Sequence, residues 1–181
     1  MLRYSYLVLG AILFCFSCAA SNGPQFKSGT VRSAFASSWS TVENSNVNGD
    51  SKSERIGFNS STGAFLTPTM ESGVNIDYLK TRDSDQPNTI GSASWYGRYW
   101  FQTHGMVRSW MEGEAGYAKL QAMGTADDSW FWSTSAGITQ FITPGGAVEF
   151  WIEYNDYSWN IRGAPYDITD TSIYFGYALF Y

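Results

Sequence analysis

The chain closes on Ser172-Ile173-Tyr174-Phe175-Gly176-Tyr177-Ala178-Leu179-Phe180-Tyr181. Ile173, Phe175, Tyr177, Leu179 and Tyr181 share one parity, and Ser172, Tyr174, Gly176, Ala178 and Phe180 share the other. Successive side chains of a strand point to opposite faces. The segment is therefore read as a strand with one large apolar face and one face mostly small or amphipathic.

The same period of two recurs upstream. Val148, Phe150, Ile152 and Tyr154 alternate with Glu149, Trp151, Glu153 and Asn155. Val74, Ile76 and Tyr78 alternate with Asn75 and Asp77. Ala93, Trp95, Tyr99 and Phe101 oppose Ser92, Ser94, Arg98 and Gln102. Turn residues divide the runs. Thr67-Pro68-Thr69-Met70, Thr103-His104-Gly105 and Thr143-Pro144-Gly145-Gly146 are short breaks. Thr41–Glu54, Thr81–Thr89, Gln121–Asp128 and Tyr157–Asp170 are longer polar segments, read as loops. These seven connections imply eight strands, at 29–40, 55–66, 71–81, 90–102, 106–120, 129–142, 147–156 and 171–181. Phe65-Leu66-Thr67-Pro68 with Val74, Ile76-Asp77-Tyr78 aligns without gaps on Phe141-Ile142-Thr143-Pro144 with Phe150, Ile152-Glu153-Tyr154. Such a repeat suits an up-and-down meander of similar hairpins.

Eight alternating strands fit two barrels. A soluble lipocalin-like barrel keeps apolar residues inside, whereas a membrane barrel turns them outward and its polar residues inward. Three features select the second. Breaks alternate long and short, as extracellular loops and periplasmic turns do. The polar faces carry few charges of both signs: Asp77, Glu112, Glu114, Glu149 and Glu153 against Arg32, Arg98 and Arg108. A wetted surface would carry many more, so an enclosed network is the economical reading. Finally, Trp39, Tyr78, Trp95, Tyr99, Tyr117, Trp132, Tyr154 and Tyr181 fall on apolar faces toward strand ends, like interfacial girdles. The fifth strand has the least apolar outer face: Val107, Ser109, Met111, Gly113, Ala115 and Tyr117. Its parity rests on keeping Glu112 and Glu114 inside.

Composition agrees. Aromatics make up 18% and charged residues 15% of 181 residues, against about 25% charged in ordinary soluble domains. No internal run reaches the roughly 18 apolar residues of a spanning helix. The net charge is −5, without a basic cluster, so nucleic-acid binding has no electrostatic footprint. Arg3, the apolar run Tyr6–Phe16 and the small residues Cys18-Ala19-Ala20 read as an export signal over 1–20, cleaved after Ala19 or Ala20. Lipidation at Cys18 and a membrane anchor are the alternatives. Cys15 and Cys18 are the only cysteines, so cleavage leaves a chain without thiols. Residues 21–28 form a short lead, and 29–181 form the barrel.

Tyr174 to Tyr181 resembles the C-terminal assembly signal of outer-membrane barrels, with Gly176, Leu179 and the terminal Tyr181 at its characteristic positions and Tyr174 at its polar one. Gly63-Ala64-Phe65-Leu66, Gly97-Arg98-Tyr99-Trp100-Phe101 and Glu112-Gly113-Glu114-Ala115-Gly116-Tyr117 resemble hairpin segments of the small eight-stranded barrels of the OmpA-transmembrane and OmpX-like type. The resemblance implies an all-β, eight-stranded antiparallel up-and-down transmembrane barrel in a Gram-negative outer membrane. It also implies contact with membrane lipid and lipopolysaccharide, and handling by the barrel-assembly machinery. It implies no activity.

An eight-stranded barrel is just wide enough for side chains to fill it. Inward Trp100, Trp110, Trp151, Tyr174 and Phe180 would do so, which disfavours an open pore. Arg32, Asp77, Arg98, Arg108, Glu112, Glu114, Glu149 and Glu153 are expected to pair as a structural network. Catalysis is not expected, because His104 is the only histidine and Gly-x-Ser-x-Gly is absent. No His/Cys cluster suggests a metal or cofactor. Asp127, Asp128, Asp167 and Asp170 read as solvated loop acids. The last loop holds Tyr157, Trp159, Ile161 and Tyr166, and is the expected contact surface for an extracellular partner, lipopolysaccharide or host material. The alternatives are a narrow porin-like channel and a soluble lipocalin-like lipoprotein binding a small apolar ligand.

Overall fold

β-Branched and aromatic residues on alternating positions suit a pleated surface, and every alternating run becomes a strand. The computed structural model describes residues 23–46, 49–81, 89–102, 104–122, 125–161 and 164–181. The expected export signal over 1–20 lies outside the described residues.

The strands are β1 (Val31–Asn46), β2 (Gly49–Thr67), β3 (Met70–Thr81), β4 (Thr89–Trp100), β5 (Val107–Ala122), β6 (Thr125–Thr143), β7 (Gly146–Ile161) and β8 (Ala164–Phe180). Each pairs antiparallel with the next, and β8 pairs with β1 to close the barrel. From Arg32 the register runs through Gly63, Gly73, Tyr96, Glu114, Ser133, Asn155 and Asp170 to Val42. One circuit thus advances 42 − 32 = 10 residues along β1. This stagger tilts the strands and sets a narrow interior. Closure extends to the last residue: Val31 N donates to Tyr181 O at 2.8 Å, and Tyr181 N to Val31 O at 3.0 Å.

The strands are longer than alternation predicts. Three of the expected loops are mostly strand: Thr41 pairs with Glu54 and Asn46 with Gly49, Ala122 pairs with Thr125, and Ile161 pairs with Ala164. The fourth segment, at 82–88, lies outside the described residues. The reason is physical. Along the ends of β1 and β2 both faces are polar and the two-residue pattern fades, while in β7 Tyr157, Trp159 and Ile161 still alternate with Asp156, Ser158 and Asn160; in each case backbone N–H and C=O groups pair with the neighbouring strand.

At the other end the repeat is literal. The β2–β3 and β6–β7 turns each span two residues, and a register shift follows Phe65 in one and Phe141 in the other. β4 ends at Trp100 rather than at the expected residue 102. Gln102 leaves the ladder, and its Oε1 accepts from Ser109 N at 2.7 Å and Ser109 Oγ at 2.9 Å. Gly105 in that connection has φ +93°, a left-handed conformation that glycine adopts without strain.

Candidate functional site

Inside the barrel, side chains stack in layers. The lowest closes the short-turn end. Phe65, Trp100, Phe141 and Phe180 come from β2, β4, β6 and β8, and Phe26 of the lead sits among them. Its ring centroid lies 4.1, 5.1, 5.8 and 5.2 Å from theirs. The lead is thus a plug that touches alternate strands around the circumference. It passes so close to the β4–β5 turn that a Cβ on Gly23 would lie 2.0 Å from Gly105 O. Sequence reading treated residues 21–28 as a plain lead, because one Phe in a short segment has no period.

Arg108 belongs to this plug and not to the expected charge network. Its guanidinium lies 4.3 Å from the Phe26 centroid and 4.9 Å from that of Phe141. It donates through Nη2 to Pro24 O, and through Nε to Gly105 O at 3.3 Å. Its place near the first residue of β5 puts it below the acids.

Above the rings lies an arginine–carboxylate layer. Arg32 donates through Nε to Glu149 Oε1 at 3.0 Å and pairs through Nη2 with Glu149 Oε2. Its Nη1 reaches Ser61 Oγ at 3.0 Å and Glu71 Oε1 at 3.5 Å. Arg98 donates to Glu112 Oε2 at 2.8 Å, and its Nη1 lies 3.7 Å from Glu149 Oε1. Its guanidinium also lies 3.6 Å from the Trp110 centroid. Tyr96 Oη and Trp100 Nε1 donate to the two oxygens of Glu71 at 2.5 and 3.1 Å. Glu71 and Tyr96 were not singled out from sequence. Extending the parity of Asp77 down β3 marks Glu71 as inward.

The next layer is acidic. Asn59 Nδ2 donates to Asp77 Oδ1 at 2.8 Å, and Asn75 Nδ2 to Glu114 Oε2 at 3.0 Å. Asn155 Nδ2 donates to Glu153 Oε1 at 2.9 Å. Tyr174 Oη lies 3.4 Å from both Asp77 Oδ1 and Glu153 Oε1. The expected network is therefore split. Arg32, Arg98, Glu112 and Glu149 pair by charge, while Asp77, Glu114 and Glu153 are held by neutral donors.

A second apolar layer of Leu79, Ile90, Ala118, Leu120, Phe131 and Tyr157 covers the acids. The Phe131 and Tyr157 rings stack at 5.1 Å. Two loop expectations are corrected here. Tyr157 is a buried β7 residue and Asp170 a buried β8 residue. Each continues the inward parity of its strand, Glu153-x-Asn155-x-Tyr157 and Asp170-x-Ser172-x-Tyr174. The backbones of Trp159 and Ile161 lie in β7 and that of Tyr166 in β8, with Trp159 paired to Tyr166. Their side chains lie outside the described residues, as do those of Asp127 and Asp167. Asp128 is an exposed β6 residue, and His104 is exposed in the β4–β5 connection.

Outside, the order reverses. All eight aromatics expected on outer faces are exposed, from Tyr154 at 38% to Tyr181 at 71%. On the strands, outward-facing charged residues among the described ones are confined to the long-strand side: Glu54, Lys80, Lys119, Asp128 and Asp156. Below them runs a charge-free band. On β3 it spans Met70 to Tyr78, nine residues, close to the 9–11 or so of a tilted spanning strand. A soluble barrel would not leave Trp95, Ile76 and Phe175 at 60–64% exposure on a band without charge.

No family model matches the chain, and no characterised protein sequence does either. Solved structures do. Neisserial surface protein A matches with TM-score 0.64 at 12% identity, over 81% of this chain and 96% of that one. Ail, the attachment invasion locus protein of Yersinia pestis, matches with TM-score 0.51 at 15% identity, over 85% and 99%. The chain has the fold of the small outer-membrane barrels. No helix among the described residues is long and apolar enough to cross a membrane; barrels of this fold cross with strands.

The outer wall is uneven. Ser72, Gly97, Gly113 and Thr134 are neighbours in register across β3 to β6. Between Leu66, Met70, Tyr99 and Met111 they floor a groove of about 500 Å³. This is the weakly apolar face expected on the fifth strand, with Glu112 and Glu114 inside as the parity required. At the closing strand, a Cβ on Gly176 would meet Phe35 O at 2.4 Å and Ala36 Cβ at 2.6 Å. Gly176 therefore permits the β8–β1 approach, while Leu179 and Tyr181 face outward.

Proposed function

We propose that this chain is an outer-membrane barrel of a Gram-negative cell that acts as a structural and surface-interaction protein, through the hairpin ends that stand beyond its charge-free band. The band carries the reading. Burying it in hydrocarbon removes a contiguous apolar surface from water, which a free barrel in solution could not do. The short turns face the periplasm in this orientation, and the extended β1–β2, β5–β6 and β7–β8 ends face outward. Aromatic and apolar layers fill the lumen, so the protein works with its rim rather than with a pore. Trp159 and Tyr166, paired across the last hairpin, are the proposed contact residues for a partner, lipopolysaccharide or host material. Insertion of the C-terminal strand by the assembly machinery rests on the sequence signal ending at Tyr181.

Membrane fractionation with boiled and unboiled detergent gels tests the placement. The folded barrel is expected in the outer-membrane fraction, with a mobility that changes on heating. Recovery in the soluble fraction would refute it. Trp159→Ala with Tyr166→Ala is expected to weaken binding of cells to a host-derived surface and to leave heat-modifiability intact. Unchanged binding would reject those residues as the contact. Steady conductance in planar bilayers would overturn the filled-lumen reading in favour of a narrow channel.

A further inference from the structure

Between the ring layer and the upper apolar layer, the described residues place six acids: Glu71, Asp77, Glu112, Glu114, Glu149 and Glu153. They place only two bases there, Arg32 and Arg98, both engaged by Glu149, Glu71 and Glu112. Arg55 belongs a layer higher, with its Nε on Thr81 Oγ1 at 3.2 Å. Arg108 lies below, in the plug. The upper part of the compartment is left with three carboxyl groups and neutral donors. A second feature lies in the same layer. Glu114 Oε1 and Ser135 Oγ are buried without a hydrogen-bond partner. Ser135 is only 5% exposed, and its cross-strand neighbours are Glu112 on β5 and Glu153 on β7. Buried oxygens without donors call for an occupant that supplies positive charge.

We propose that the Asp77–Glu114–Glu153 layer binds a hard cation within the barrel, with Ca²⁺ as the best fit. The available atoms are all oxygens of carboxylate, amide and hydroxyl groups, the set that Ca²⁺ takes in flexible geometry. Among the described residues no three acids converge on one point. The ion is therefore held by at most two carboxylates at once, with Ser135, amide oxygens and retained water completing its shell. Such an ion neutralises charge that the arginines do not reach, and it ties two of the strands β3, β5 and β7 together across the lumen. It would enter while the barrel is assembling, before the two apolar layers close.

The test unfolds and chelates the protein, then refolds it at fixed pH and ionic strength in CaCl₂ or in choline chloride, whose cation is too large for the layer. Calcium is expected to raise Tm by several degrees, as any ligand bound only to the native state does. The wild-type barrel refolded in radioactive calcium is expected to retain ion through dialysis. Asp77→Asn with Glu114→Gln and Glu153→Gln should fold, lose the retained ion, and melt alike in both salts. Should that variant not fold, the dialysis and the wild-type Tm comparison decide. Equal Tm in both salts without retained calcium overturns the proposal. A shift that survives in the triple variant also overturns it, by placing the ion on surface acids. Protonated-carboxyl infrared bands that are identical with and without calcium overturn it in favour of protons.

Discussion

Glu149→Gln removes the acid on which Arg32 and Arg98 meet. Glu149 takes both Nε and Nη2 of Arg32, accepts from Thr139 Oγ1 at 3.0 Å, and lies 3.7 Å from Arg98 Nη1. All three charged side chains are almost fully enclosed. Glutamine keeps the shape, but it offers one acceptor where the guanidinium needs two, and it carries no charge. Arg32 then keeps that single neutral acceptor, Ser61 and the 3.5 Å approach to Glu71. Breaking a buried pair by removing one partner costs about 3–5 kcal/mol, or roughly two to four powers of ten in the folding equilibrium. Reversible urea unfolding in lipid bilayers, followed by tryptophan fluorescence, should show this as a lower midpoint with unchanged slope. Arg32→Met alone should cost a similar amount. The double variant should cost much less than the sum, because neither charge is then stranded. A loss below about 1 kcal/mol for Glu149→Gln, the size of an exposed pair, would mean that water reaches this layer and that the plug below it does not seal.

Phe26→Ala should cost about 3–5 kcal/mol, as for other buried rings, and should speed hydrogen exchange of the Arg32 and Phe65 amides; unchanged exchange would show that the four remaining rings close the mouth by themselves. Ile76→Arg, on a side chain that is 60% exposed, should cost about 2–4 kcal/mol in bilayers, as for a basic residue at mid-membrane. The same change on a soluble barrel would be nearly neutral, so a neutral result would argue against membrane burial of the band. Deleting Tyr181 removes both backbone bonds to Val31 and the last residue of the proposed assembly signal. It should sharply lower the yield of heat-modifiable protein in outer membranes, while refolding in detergent should suffer less.

The sites of correct and incorrect reading follow one rule. Parity assigned Asp77, Arg98, Glu112, Glu114, Glu149 and Glu153 to the interior, because a strand that separates hydrocarbon from an enclosed lumen must alternate. The same parity would have taken Asp170 and Tyr157 inside, had alternation been followed past the last apolar outward residue. It stopped there because Asn160, Gly163 and Pro165 signal a turn and because Thr169 and Thr171 give β8 no apolar outward face.

Sequence alone therefore determined the strand number, their inward and outward faces, the hairpin repeat and the closing segment, since each rests on local backbone geometry and the pleat. It could not say which charges meet. That depends on the ten-residue stagger of the closed sheet, which brings Arg32 of β1 level with Glu149 of β7 and leaves Arg108 at the mouth. Nor could it show that Phe26 fills the floor, because a plug with no periodicity has meaning only once four strands supply the ring of aromatics around it. Pairing across the lumen is a property of closure, and closure exists only in the tertiary structure.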